Sequence, residues 1–265
     1  MKRPPNFFFI FSLLSILFVG LDPSGACLAA PNSAAPNSAA PTSSRSMELN
    51  ERGMLALSQN EINKAEELFK QALDADSGNV SAAYNYAGAL VTNKKQGQAV
   101  SFLTKYTKDY PKDAGLFVIL GDAHFSSKRV PDAIKAYEQA YKLKPNYPGL
   151  PEKLGTTYGL VNRLEDAEEM FRLAVKNNPK DSKAMTNLAN ILLAQADADE
   201  AIATAKRALQ VRASKELYVT LGSAYEMKRD FKNALISFQR AVDLGETRDE
   251  VKQKVSALQE LISKS

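Results

Sequence analysis

A repeat with a period of 34 residues constrains this chain more than any other feature of its 265 residues. The clearest copy, 114–147, consists of two amphipathic segments joined by a short polar turn. The alanine that follows the turn recurs at intervals of 34, 34, 34, 34 and 33, as Ala65, Ala99, Ala133, Ala167, Ala201 and Ala234. Such a period is typical of stacked helical hairpins. The sequence therefore predicts an all-α array of six hairpins.

The six copies fill residues 46–248, which leaves little room for a separate catalytic domain. Their bounds are 46–79, 80–113, 114–147, 148–181, 182–214 and 215–248. The first segment of each copy carries a small residue that lets paired helices approach to ~8–10 Å. These small residues are Gly53, Ala87, Gly121, Gly155, Ala189 and Gly222. Pro111, Pro145 and Pro179 are expected to end hairpins, because proline cannot donate a backbone hydrogen bond.

The residue types within one copy follow a recognisable order. Copy 114–147 shows it in Phe117, Leu120, Gly121 and His124 of the first segment and in Ala133, Tyr137, Ala140 and Pro145 of the second. This order resembles the tetratricopeptide repeat, with His124 at the position of the family's tyrosine. The resemblance covers about three quarters of the chain. It implies a right-handed superhelical solenoid of six helix-turn-helix repeats, with the first helices lining a concave face.

Two features adjust the helix bounds. Pro148 and Pro151 occupy the start of the fourth copy, so its first helix is expected to begin late. Asp113 and Asp230 precede predicted helices and are expected to cap their N-termini.

A further helix is predicted after the sixth copy. Thr247-Arg248-Asp249-Glu250 has the spacing of a capping box. One apolar face follows, at Val251, Val255, Leu258 and Ile262. Residues 249–265 are therefore expected to cover the last hairpin as a capping helix. If the helix does not act as a cap, it could instead join two chains.

The N-terminus is typical of an exported protein. Lys2 and Arg3 precede the apolar run 7–21, and small residues follow, so residues 1–30 are interpreted as a signal peptide. Cys27 follows Ser24-Gly25-Ala26, which resembles the end of a bacterial lipobox, although Ser24 replaces the usual larger aliphatic residue. A cleaved signal, a lipid on Cys27 and an uncleaved anchor all remain open. Residues 31–45, rich in Pro, Asn, Ser and Ala, are expected to form a disordered linker.

No catalytic, metal or cofactor site is expected. The chain holds one histidine, His124, and one cysteine, Cys27, which is too few for a metal site of those residues. It has no glycine-rich phosphate loop, and Gly53, Gly121, Gly155 and Gly222 are each interpreted as single packing glycines. The net charge of +4 is too small and too scattered to favour nucleic acid.

The resemblance directs attention to the concave face. In each first segment, the residue that directly follows the small residue is expected to face the groove. The residue four positions before that one is expected to do the same, together with two neighbouring asparagines. The candidate contacts are Asn50, Met54, Tyr84, Asn85, Asp122, Glu152, Thr156, Thr186, Asn187, Asn190 and Ser223. Because they differ from repeat to repeat, an extended peptide or a helix of a partner protein suits them better than a small molecule.

The sequence predicts a non-catalytic adaptor, a monomer or weak homodimer exported to the cell envelope, which binds a partner protein in its groove. The only membrane contact expected is through the leader or a lipid on Cys27. The alternative is a lipid-anchored envelope-assembly factor that resembles the pilotin lipoproteins of secretion or pilus complexes. A second alternative class is a scaffold associated with an enzyme, or an enzyme itself, which would need a polar cluster in the groove.

Overall fold

The computed structural model describes residues 43–264, and this range is built of α-helices without a strand. The predicted leader, Cys27 and nearly all of the predicted linker lie outside the described residues. The helices are α1 (Ser44–Ser58), α2 (Ile62–Ala75), α3 (Val80–Thr92), α4 (Gln96–Asp109), α5 (Ala114–Ser126), α6 (Val130–Leu143), α7 (Leu150–Leu160), α8 (Leu164–Asn177), α9 (Ser182–Ala194), α10 (Ala198–Val211), α11 (Lys215–Met227), α12 (Phe231–Asp243) and α13 (Asp249–Ser263).

The helix starts follow from local chemistry. The first helix begins at Ser44, just before the predicted end of the linker, and the Ser43 side chain accepts a hydrogen bond from the Ser46 amide. In the fourth copy, α7 starts at Leu150, two residues into the repeat, as the prolines predict. Asp113 and Asp230 cap their helices, which confirms both predictions.

Each hairpin turns through a residue in the left-handed region, although none of these residues is glycine. They have φ between 59° and 65° and recur with the sequence period, as Asn60, Lys94, Lys128, Asn162, Ala196 and Arg229. In each turn the next amide reaches back to the helix, as Arg129 N does to His124 O at 2.9 Å. This bond and the neighbouring one from Lys128 N to Phe125 O form a Schellman motif, which gives hydrogen-bond donors to carbonyl groups at the helix end.

Small residues let the two helices of a hairpin touch, as predicted. A β-carbon on Gly121 would lie 2.3 Å from Tyr137 Cε1. In three other hairpins a glycine likewise packs against the aromatic ring sixteen positions further on, as Gly53–Phe69, Gly155–Phe171 and Gly222–Phe238. In the fifth hairpin, buried Ala189 and Ala205 stand at the corresponding positions. The aromatic ring therefore fills the volume that the glycine leaves.

The fold divides within α7, between Leu150 and Pro151, into two compact units. In the N-terminal unit, 43–150, each helix contacts the next, and the first helices of successive hairpins also touch. Leu90, Leu103 and Leu116 are fully buried there. Each contributes about 2 kcal/mol by leaving water. Four aromatic rings lie side by side with centroids 4.8–5.2 Å apart, those of Tyr86, Phe102, Tyr106 and Tyr110.

The C-terminal unit, 151–264, ends in a helix that covers the last hairpin. Val251, Val255 and Leu258 of α13 are buried against Phe238 and Val219. This packing agrees with the cap predicted for 249–265.

The predicted capping box at the start of α13 is wrong. The N-cap residue is Arg248, and its side chain makes no capping bond. The buried Glu246 carboxylate instead accepts hydrogen bonds from the Arg248 amide at 3.0 Å and from its guanidinium at 2.8 Å. An ion pair therefore fixes the entry to α13, because Arg248 can bond to Glu246 through both its backbone and its side chain.

Candidate functional site

The N-terminal unit carries five of the candidate contacts, on α1, α3 and α5. Asn85 Nδ2 donates to Asn50 Oδ1 at 2.9 Å, which links the first helices of two successive hairpins. Both side chains are partly exposed, and Met54 is 41% exposed. These three residues are available to a partner on this face.

Tyr84 is not available in the same way, because it is only 5% exposed. Its hydroxyl donates to the Asp113 carboxylate, which also caps α5 through the Leu116 amide. Burial, together with the neighbouring Asp113 carboxylate, raises the pKa of the Tyr84 hydroxyl. Tyr84 therefore joins consecutive hairpins instead of offering its hydroxyl to a partner, in contrast to the expectation from its position.

Asp122 has a structural partner as well. The hydroxyl of Tyr137 donates to Asp122 Oδ1 at 2.6 Å within the same hairpin. Burial and the nearby Asp122 carboxylate raise the pKa of Tyr137 far above its ordinary value. Asp122 is half-buried, so only part of its carboxylate faces solvent.

The remaining candidates lie in the C-terminal unit. Asn187 and Ser223 are partly exposed, whereas Thr156 and Asn190 are buried. Thr186 is also partly exposed, and its hydroxyl donates to the Ser182 carbonyl at 2.7 Å.

Among residues 43–264, Asn190 is bonded through its side-chain oxygen, whereas Glu152 retains one buried oxygen without a hydrogen bond. Asn190 Oδ1 accepts a hydrogen bond from the Thr220 hydroxyl at 2.6 Å. The same hydroxyl lies 3.1 Å from the Glu216 carbonyl oxygen. Glu152 is partly exposed, but its Oε2 is buried without a hydrogen-bond partner in the described part of the chain.

The structure brings three candidates together in one cleft of about 910 Å³, called here the 178–244 cleft after its bounding residues. Thr186, Asn187 and Asn190 of α9 line one side of it. The other side is formed by the end of α10, the start of α11 and Leu244. Asn190 is 7% exposed, so its amide lies deep in the cleft wall.

Most of the charge in this cleft comes from residues that the repeat pattern does not predict as contacts. Lys180 and Arg212 lie in the connections that lead into α9 and α11, Lys215 is the first residue of α11, and Lys183 lies in the first turn of α9. Their only sequence signal was that they directly precede or begin first helices. The carboxylates of the cleft are Asp181 and Glu216, so cations outnumber anions by four to two.

The single histidine is a packing residue. His124 is buried on α5, and burial, with Arg129 nearby, lowers its pKa, an effect that Asp132 partly opposes. Across residues 43–264, no three His, Cys, Asp or Glu side chains come close enough to hold a metal ion. Among the described helices, none has the length and apolar character needed to cross a membrane.

The sequence that forms this fold matches known family models. Three models described as tetratricopeptide repeat match the chain, at residues 56–117, at 98–148 with 153–218, and at 215–246. Together they span both compact units.

The chain is also similar to individual proteins. It is 25% identical over 194 residues to human protein O-mannosyl-transferase TMTC3, covering 67% of this chain and 21% of that protein. It is 24% identical over 123 residues to type IV pilus assembly protein PilF of Pseudomonas aeruginosa, covering 46% of this chain and 49% of PilF. The chain therefore spans about a fifth and about half of these two curated relatives.

Solved structures share the fold. A Pseudomonas aeruginosa PilF structure has a TM-score of 0.67 at 16% identity, covering 82% of this chain and 97% of that one. The crystal structure of YrrB, a tetratricopeptide repeat protein described as having an unusual peptide-binding site, has a TM-score of 0.64 at 18% identity, covering 70% of this chain and 96% of that one.

Proposed function

Because the chain belongs to the tetratricopeptide repeat family, we propose that it is a non-catalytic scaffold that holds a partner protein on the exposed face of its first helices. Proteins built of these repeats act as protein-interaction scaffolds. In the N-terminal unit the proposed contact face consists of α1 and α3, and in the C-terminal unit it consists of α9 and α11. The partner contributes an extended peptide or a helix.

One observation carries this proposal. The first helices present a mixed row of amide, aliphatic and hydroxyl side chains, with Asn50, Met54 and Asn85 in one unit and Asn187 and Ser223 in the other. These side chains are partly or fully exposed. Because such a row offers a different contact at each step, it suits a partner segment of defined sequence and direction.

A pairwise comparison of variants tests the proposal. The full chain serves as bait in extract from its source cells, beside a variant with Met54→Arg and Ser223→Arg on the first helices. The matched control carries Thr104→Arg and Ala203→Arg, both exposed on second helices. The proposal expects a protein that the native chain and the control retain and the first-helix variant loses.

Folding and partner binding are measured separately in this comparison. Circular dichroism first establishes that both variants remain as helical as the native chain. Equal recovery by all three baits, or equal loss from both variants, rejects the first-helix face as the interaction surface.

The absence of catalysis is part of the proposal. The sequence offers one histidine and one cysteine, and His124 is buried in packing. TMTC3 is named as a transferase, but the chain spans only 21% of it, so that activity is not carried over.

A second candidate function is favoured by the similarity to PilF, which is named as a pilus assembly protein. We propose in this case that the chain is exported, anchored by a lipid on Cys27, and assists assembly of an envelope complex. Mass spectrometry of the mature N-terminus tests this candidate. A diacylated Cys27 that is lost in Cys27→Ser supports it, whereas cleavage elsewhere with an unmodified thiol contradicts it.

A further inference from the structure

The 178–244 cleft has an excess of positive charge that its own residues do not neutralise. Lys180 and Arg212 are exposed, and neither side chain forms an ion pair within the described residues. Within the described residues Lys215 Nζ donates to the Gly245 carbonyl, at 3.3 Å, and its charge also helps to lower the pKa of Glu246, which lies outside the cleft. The Asp181 carboxylate is already used, since Oδ1 accepts from the Lys183 and Ala184 amides at 2.9 Å and caps α9. An anionic group entering the cleft would therefore be attracted.

The backbone adds to this field. Two helices, α9 and α11, begin at the cleft, at Ser182 and Lys215. Their first turns carry positive ends of the helix dipole, which favour negative charge. This effect alone would not define a site.

A buried amide provides an independent indication. The Asn190 side chain lies in the cleft wall with its Oδ1 held by the Thr220 hydroxyl. Its Nδ2 donates no hydrogen bond among residues 43–264, and unlike Glu152 Oε2 it is not sealed off from solvent, so it is accessible from the cleft although Asn190 as a whole is only 7% exposed. The side-chain amide of Asn187 lies one helical turn away on the same helix, also without a partner in that range. Two amide groups with free donors can therefore bind an incoming oxygen.

The cleft also has an aliphatic edge. Val211 at the end of α10 is 44% exposed, and Leu244 just after α12 is 50% exposed. Both line the cleft, beside the cations. Exposed aliphatic side chains next to a charged pocket favour a ligand that is apolar as well as anionic.

We infer that the 178–244 cleft binds a protein segment that alternates acidic with aliphatic side chains. This inference rests on the proposed scaffold function and specifies its partner. Carboxylates of the segment meet Lys180, Arg212 and the Asn190 amide, and its aliphatic side chains cover Val211 and Leu244. The occupant is a protein segment and not a nucleic acid, because the cleft mixes Asp181 and Glu216 with aliphatic surface, where a continuous basic stripe would be needed.

Defined peptides test the inference on the full chain. The probe is a short fluorescent peptide that alternates glutamate with leucine, and its binding is followed by anisotropy. Three comparison probes are a peptide with lysine in place of glutamate, one with serine in place of leucine, and a single-stranded oligothymidine of equal charge. The glutamate–leucine peptide should bind best, and its affinity should fall as salt is raised.

Charge reversal in the cleft identifies the site. The variant Lys180→Glu with Arg212→Glu should weaken binding of the glutamate–leucine peptide about tenfold or more. The control Arg207→Glu with Lys232→Glu changes the same residue types by the same charge, at exposed positions outside the cleft, and should bind as the native chain does. Val211→Ser with Leu244→Ser should weaken the leucine peptide and leave the serine peptide unchanged.

The outcomes separate this inference from the proposed function. Equal weakening by both charge-reversed variants, or stronger binding of oligothymidine than of the peptide, overturns the inference and shows only general attraction of anions. A captured partner that depends on Met54 and Ser223 would then leave the scaffold function intact. If capture fails while the peptide still requires Lys180 and Arg212, the cleft stands as a binding site and the first-helix proposal is rejected.

Discussion

Gly121 of α5 lies directly against the ring of Tyr137 on α6, and a β-carbon at that glycine would come within 2.3 Å of the ring. The Tyr137 hydroxyl returns to α5 and donates to Asp122 Oδ1 at 2.6 Å. The two helices are therefore joined by close packing and by a hydrogen bond that depends on it.

Gly121→Ala should destabilise the chain by about 1–3 kcal/mol, because the new methyl group must displace a buried ring. The matched change Gly97→Ala places a methyl group where no atom lies within 4 Å, and it should leave stability unchanged or raise it by about 0.5 kcal/mol. Urea unfolding followed by circular dichroism measures both. A Gly121→Ala variant as stable as Gly97→Ala would show that the ring shifts freely.

Ala196 has φ of 65° in the turn between α9 and α10, where a β-carbon is unfavourable. Ala196→Gly should therefore stabilise the chain by about 0.5–1 kcal/mol, after the greater freedom of glycine in the unfolded state is subtracted. The control Ala203→Gly, exposed within α10, should cost about 1 kcal/mol. Two variants that shift the unfolding midpoint in the same direction would contradict this account of the turn.

The stability of the chain should fall as the pH drops below about 6.5. Burial, aided by Arg129, lowers the folded-state pKa of His124 below its ordinary value of 6.5, while Asp132 acts in the opposite sense. The unfolded chain therefore binds the proton first, so the folded state is fully favoured above pH 6.5 and loses stability towards the lower folded-state pKa. His124→Tyr, which restores the family residue, should flatten the unfolding free energy between pH 7 and pH 5. An unchanged slope in that variant would assign the pH dependence to other groups.

Glu246 and Arg248 should stabilise the start of α13 in a pH-dependent way. Hydrogen bonds from the Arg248 side chain, with its charge, lower the pKa of Glu246 from 4.5 to about 2. The stabilisation is therefore present above pH 4.5 and is lost as the pH falls towards 2. Glu246→Gln should cost about 1–3 kcal/mol at pH 7.

The same substitution should have a smaller effect at pH 3, because the unfolded chain, in which Glu246 has its ordinary pKa of 4.5, already binds the proton there. Urea unfolding at both pH values tests this expectation. An equal cost at pH 7 and pH 3 would show that the charge of Glu246 does not contribute.

The period of the sequence predicted the helices well, because each small residue and each larger one has a mechanical reason to recur. Gly155 and Phe171, for example, stand sixteen residues apart and touch. The prolines that interrupt this pattern at the start of the fourth copy predicted the late start of α7. These features depend on residues close together in the chain, so the sequence pattern contains them.

The candidate surface was less predictable, because its side chains bond to neighbouring repeats. Tyr84 donates a hydrogen bond to Asp113, 29 residues further along the chain, and Asn190 accepts one from Thr220, 30 residues further along. A periodic pattern assigns a residue to a helix face but does not identify its partner. Lys180 and Arg212 were not predicted as contacts for a related reason. They lie between helices, where the repeat pattern does not indicate which way a side chain faces.

Within each compact unit, extensive contacts join only helices that are adjacent or next but one along the chain. No hairpin in these units has to wait for a distant segment before it can form its contacts. Each can close soon after it leaves the ribosome, with α1 and α2 first and α13 last. Chains with such local contacts fold fast and expose little apolar surface for long. A nascent chain of this design would thus build its partner-binding surface one repeat at a time, in the order in which it is translated.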